Sequence, residues 1–204
     1  MPSRRFSKRP PESGAQGASS SPLQRLIVTA PSLQSMAENM DHHAAEKRSA
    51  QREAKVAKEW GDLSENAEYK ASKEKFRLAG RLQQRFVREF KKLESTGYVV
   101  VNPVDWVKAS AIERVQVGTV VSVTQGRFTE EYLVVGAKDQ NLPMDGSLVP
   151  VPYTSPLGAA LVGRRAGEKV DAAIAGERRV LGIGTLRAPT LDEVLHFYPE
   201  LTPE

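Results

Sequence analysis

Between Pro31 and about Ser95 the chain is built mainly from Ala, Glu, Lys, Arg, Gln and Leu, and its apolar positions recur at helical spacing. The upstream half carries Leu33, Met36, Met40, Ala44, Ala50, Ala54 and Ala57 mostly at helical steps, with Pro31-Ser32 near its start. The downstream half carries Ala67, Ala71, Leu78, Leu82, Phe86, Phe90 and Leu93 at steps of three and four or their multiples. Two helices of similar length, each with one narrow apolar stripe, predict an antiparallel coiled coil. Gly61 interrupts the first part and marks the tip of a hairpin tens of Å long, at about 1.5 Å rise per residue.

After Thr96-Gly97 the pattern changes. β-Branched runs occur at Tyr98–Val101, Val115–Thr124, Glu130–Gly136, Leu148–Tyr153, Lys169–Ile174 and Arg178–Leu186, separated by Gly, Pro, Asn and Asp. Between two of them, residues 155–163 read as one short helix, with Ser155 as N-cap, Pro156 at the first helical position and Gly163 at the stop. The expected fold class is α+β: a helical hairpin followed by a small antiparallel sheet domain with one short helix. Expected boundaries are 23–96 for the coiled coil, 97–187 for the sheet domain and 188–204 for a C-terminal extension, in which residues 191–198 suit a short amphipathic helix. Residues 1–22 are Ser-, Pro- and Gly-rich, basic and nearly devoid of apolar side chains, which predicts a disordered basic tail.

Composition removes several function classes. There is no cysteine, so disulfides, thiolate metal sites and cysteine nucleophiles are excluded. No apolar run approaches the roughly 20 residues needed to cross a bilayer, and the N-terminus lacks a secretory apolar core, so a cytoplasmic protein without a membrane partner is expected. Lys and Arg total 29 against 25 Asp and Glu, a small excess whose placement matters more than its size.

That placement is uneven. Between residues 70 and 92 nine Lys/Arg stand against two acids, and Lys70, Lys73, Arg77, Arg81, Arg85, Arg88 and Lys92 follow three- and four-residue steps. Such a stripe is either a solvated helix face or an electrostatic track for phosphates or an acidic partner. At the tip, GDLSENAEY places Asp62, Glu65 and Glu68 three residues apart, on one side of a helical first turn. Asp62 and Glu65 can form a capping-box-like start that also suits the positive end of the helix. They can equally be a carboxylate pair presented on an arm. Unaided, such a pair is a poor magnesium site, because the ion takes six oxygen ligands and sheds water reluctantly, so the arm would have to complete a site belonging to a partner. The adjacent His42 and His43 cannot share a direction on a helix and are expected as surface residues without a metal.

GDLSENAEY with the following KASKEK closely resembles the coiled-coil tip of the bacterial Gre-type transcript cleavage factors, and EEYLVVG and TSPLGAALVGRRAGEKV resemble their C-terminal signature. The resemblance spans roughly residues 25–186. It implies an FKBP-like C-terminal domain and a monomeric cytoplasmic partner of RNA polymerase, reaching through the secondary channel to the nascent RNA 3′ end. Asp62 and Glu65 would be the catalytic carboxylates, helping to hold a Mg2+ shared with the polymerase; no cofactor is expected on the free protein. Ser64, Asn66 and Tyr69 match as tip support, and Lys70, Lys73, Arg77, Arg81, Arg85 and Arg88 form the RNA- and polymerase-facing stripe. The tails and the first helix around Asp41-His42-His43 depart from the family pattern, and A-type or B-type character stays open.

Three other readings compete with a cleavage cofactor. A Gre-like arm could merely block the secondary channel, although it would then have no need of both Asp62 and Glu65. An FKBP-like domain could be a prolyl isomerase, although few aromatics are present to line a proline pocket. A basic coiled coil could bind nucleic acid generically, which leaves the acidic tip as a cap.

Overall fold

The computed structural model describes residues 25–59, 67–144, 147–174 and 176–201. The basic tail predicted over 1–22 lies outside them. The described chain opens with strand β1 (Leu26–Thr29), which leads directly into helix α1 (Ala30–Glu59). Helix α2 (Ala67–Thr96) returns antiparallel to it. Gly97 ends α2 in the left-handed region (φ 77°), where its N–H reaches the Leu93 carbonyl at 2.9 Å. A residue with a side chain is strained in this conformation, so glycine is suited to turning the chain out of the helix. Strand β2 (Tyr98–Val101) follows and pairs in parallel with β1, Leu26 opposite Tyr98, so the whole helical hairpin is the crossover between two parallel strands. The Leu26-Ile27-Val28 run that forms β1 was not singled out by the hydrophobic pattern.

The second half contains β3 (Val120–Gln125), β4 (Phe128–Val135), β5 (Leu148–Pro152), helix α3 (Pro156–Leu161), β6 (Lys169–Ile174), β7 (Glu177–Arg187) and helix α4 (Leu191–Phe197). Strands β5-β4-β3-β7-β6 form one sheet in that order. Its pairings are antiparallel except β4 with β5, which run parallel. The expected first strand of this sheet begins later than the β-branched run suggests, at Val120, after a turn in which Gly118 adopts φ 87°. A Cβ on Gly118 would sit 2.4 Å from the Trp106 ring, so the indole occupies the space a side chain would need.

Alternation along the strands sends side chains to two cores. Val121, Val123, Val134, Leu181 and Ile183 pack under α3 on one face. Val120, Leu133 and Val135 pack on the other with Trp106, Val194, Phe197 and Tyr198. The segment beyond Arg187 therefore contributes a helix to the second core. Its start is fixed by a capping box between Thr190 and Glu193. Ser155 caps α3 as expected, accepting from Gly158 N at 3.0 Å. A third small core, Val28, Met36 and Leu93, lies where the helical hairpin meets β1 and β2.

Candidate functional site

The hairpin is an arm. Each helix has 30 residues, about 45 Å of helix, and the ends Glu59 and Ala67 lie at the extremity opposite β1 and the sheet. Residues 60–66 join those ends, so Asp62, Ser64, Glu65 and Asn66 lie outside the described residues. Tyr69 is described: it is half-buried in the first turn of α2, with the Lys73 ammonium 5.7 Å from its ring centroid.

The six predicted stripe residues Lys70, Lys73, Arg77, Arg81, Arg85 and Arg88 are all exposed. At 3.6 residues per turn they occupy about a third of the circumference of α2, opposite the side that buries Ser72, Ala79 and Leu93. Two acids temper this face. Glu74 lies 3.9 Å from Arg77 and 3.4 Å from Arg81, and Glu89 lies 3.2 Å from both Arg85 and Lys138. Burial opposes the charge on Glu89, yet hydrogen bonds from Lys138 and Arg85 hold its carboxyl below the usual range. Lys70, Lys73, Arg88 and Lys92 pair with no acid among the described residues, so the face keeps a net positive field toward the tip and the root.

The apolar stripe of α2 differs from the sequence reading in its distal half. Ala67 and Ala71 are exposed and Leu78 is 50% exposed, whereas Ser72 and Ala79 are buried and Phe76 half-buried. The seam thus follows 72, 76, 79, 86, 90 and 93, a strict coiled-coil alternation, and leaves the larger Leu78 outside it. The apolar character of single residues misled here, because α1 presents only alanines at this level and a polar serine fits between them.

His43 also differs from expectation. Its side chain is only 15% exposed, and its ring stacks on Phe86 across the seam, with centroids 5.7 Å apart and planes at 22°. His43 Nδ1 lies 2.8 Å from Glu46 Oε2, and His42 Nε2 lies 3.5 Å from Glu46 Oε1. These three side chains were not grouped by the sequence reading, although the spacing i, i+1, i+4 was there to be seen.

Two long antiparallel helices, basic along one face and followed by a small mixed sheet, define a helical-hairpin class of α+β protein. The N-terminal region of transcription elongation factors GreA and GreB matches residues 26–92 as a family. The chain is 36% identical over 134 residues to transcription elongation factor GreA of Nautilia profundicola, covering 65% of this chain and 75% of the relative. It is 30% identical over 153 residues to GreA of Lachnoclostridium phytofermentans, covering 74% and 88%. Among solved structures, the GreA factor homolog Gfh1 of Thermus thermophilus overlaps 81% of this chain and 100% of its own at 15% identity and a TM-score of 0.33. The chain belongs to the Gre family of transcription elongation factors. No helix among the described residues is long and apolar enough to cross a membrane.

Proposed function

We propose that this chain is a transcript cleavage cofactor of bacterial RNA polymerase, an activator of the polymerase rather than an enzyme itself. The observation that carries the reading is the arm: two helices of about 45 Å, the second of which begins within GDLSENAEY at Ala67, with exposed cations along the outer face of α2. A two-helix rod enters a channel that excludes a sheet domain, so the β domain would stop at the rim of the polymerase secondary channel while the arm reaches inward. The stripe favours approach to the phosphates of the nascent RNA 3′ end.

Asp62 and Glu65 are hard oxygen donors, the kind of ligand magnesium prefers, and two carboxylates leave most of its six positions to the polymerase and the RNA. When bound, a magnesium ion shared in this way would supply the chemistry that activates water for attack on a phosphodiester, with Asp62 and Glu65 as this chain's donors to it. Asp62 and Glu65 orient that site and supply negative charge, and Ser64, Asn66 and Tyr69 hold the tip in shape. On this reading the protein acts as a monomer in the cytoplasm and binds the ion only within the complex.

The test follows RNA length in a stalled, backtracked polymerase complex supplied with magnesium. Shortening from the 3′ end should accelerate on adding the protein and fall at least about a hundredfold with Asp62→Asn/Glu65→Gln, the scale on which losing an electrostatic contact to a transition state is felt. Polymerase binding should be largely retained in that variant. Slowed nucleotide addition without shortening would instead identify an arm that obstructs the channel.

A further inference from the structure

We propose that His42, His43 and Glu46 form a binding site for a divalent transition ion, zinc in the first instance, on one turn of α1 at the edge of the seam. One ligand atom from each residue lies within 4.8 Å of the other two. Two ligands bound at about 2.1 Å lie roughly 3.0–3.4 Å apart at octahedral to tetrahedral angles. His42 Nε2 lies 3.5 Å from Glu46 Oε1 and His43 Nδ1 lies 2.8 Å from Glu46 Oε2, so an ion bound between the rings and the carboxylate takes the place of the His43–Glu46 hydrogen bond after a small opening of that pair. Closing the two imidazoles falls to His42, whose side chain is 65% exposed and free to turn.

The argument that adjacent residues diverge on a helix holds for their Cβ atoms, but the long imidazole arms converge, with ring centroids 5.3 Å apart. His43 is pre-positioned, because its ring is clamped against Phe86 and cannot swing away without breaking the seam. Glu46 supplies a carboxylate donor, with Oε1 facing His42 and Oε2 facing His43. Imidazole nitrogens select zinc, nickel or copper over magnesium, which keeps this site chemically distinct from the carboxylates Asp62 and Glu65. It also lies about 20 Å along α1 from Glu59, so the two cannot share an ion. The exposed side of the site leaves positions for water or for a donor from a partner that contacts this stretch of the arm.

The chain makes the assignment testable, since it has no cysteine and three histidines, the third being His196 on α4. Zinc chloride is titrated into the full-length, untagged protein at neutral pH by calorimetry, with thermal unfolding as a second readout. One zinc per chain and a raised melting temperature are expected, because an ion that staples a turn of α1 binds the folded state alone. His42→Ala and Glu46→Gln should each weaken binding by about tenfold or more, within the range seen when metal-site partners are lost, while circular dichroism stays unchanged. His196→Ala should leave binding intact. Absence of saturable binding, or binding that survives His42→Ala with Glu46→Gln, overturns the proposal.

Discussion

At the scale of a single residue, Arg187 at the end of β7 shows how one side chain ties α4 to the sheet. Its guanidinium lies 2.8 Å from Glu131 on β4 and 2.7 Å from Glu193 on α4, and a second nitrogen reaches Glu193 at 2.8 Å. The hydrogen bond from Arg187 is the main reason the Glu193 carboxyl sits below the usual range, with burial opposing it and the Thr190 N–H adding to it. A carboxyl whose folded pKa is depressed contributes stability that is complete above its unfolded pKa, near 4.5, and is lost as pH falls through the lower folded value. Arg187→Ala should therefore cost about 1 kcal/mol at neutral pH, a discounted figure for groups about a third exposed. The difference between variant and wild type should shrink as denaturation is repeated well below pH 4.5. An equal cost at both pH values would mean that the loss came from the arginine stem packing rather than from its charge.

At the scale of an element, the arm has an uneven seam. Its root is closed by Met36, Phe90 and Leu93, whereas its distal half meets through Ala50, Ala57, Ser72 and Ala79. Between the distal halves runs a groove of about 510 Å³ lined by Val56, Ala57, Ala71 and Ser72 among others. Few apolar contacts mean cheap local opening, so amide exchange should be faster over residues 44–59 and 67–80 than over 30–40 and 86–96. Ser72→Leu, which fills the groove, should strengthen distal protection by about 1 kcal/mol, roughly fivefold, when followed by exchange mass spectrometry. Uniform protection would show that the helices hold together by propensity alone. This gradient also explains what the sequence could and could not convey. The two helices, the cap at Ser155 and the strands around them were legible because period and capping are local. The seam register was not, because Ser72 and His43 are polar residues whose burial depends on what Ala57 and Phe86 present from the other helix. Strand β1 was missed for a related reason, since its partner β2 lies some seventy residues on. The tip motif was legible as a spacing, but spacing alone does not separate a cap from a borrowed metal ligand.

At the scale of the whole molecule, an arm is useful only if the base that carries it is rigid, and the joint here centres on Asp139. This side chain is 4% exposed and accepts from Thr29 Oγ1 at 2.6 Å and from the Gly136 N–H at 2.8 Å. Nearby, Ala137 N reaches Ile27 O at 2.9 Å, Ile27 N reaches the Tyr153 hydroxyl at 3.0 Å, and Lys138 crosses to Glu89 on α2. Residues 136–139 thus tie strand β1 and helix α2 to the end of β4, and Tyr153 adds a second tie to β1. Burial and the adjacent Asp139 charge raise the pKa of the Tyr198 hydroxyl, and the Tyr198 ring packs edge-on against Trp106 in the second core. Asp139→Ala leaves the Gly136 N–H without its acceptor and the Thr29 hydroxyl with Ser32 Oγ alone, at about 1–3 kcal/mol, and should do more than lower stability. It should separate the melting of the arm from that of the β domain. In a Trp60→Phe background, Trp106 is the only tryptophan and reports on the second core, while helical circular dichroism is dominated by the arm. Coincident transitions in the parent and split transitions in Asp139→Ala would establish the loop as the coupling element. On the proposed function, the same variant, with its tip sequence untouched, should also stimulate RNA shortening less than the parent. Coincident transitions in both would place the coupling instead in the Val28, Met36 and Leu93 core.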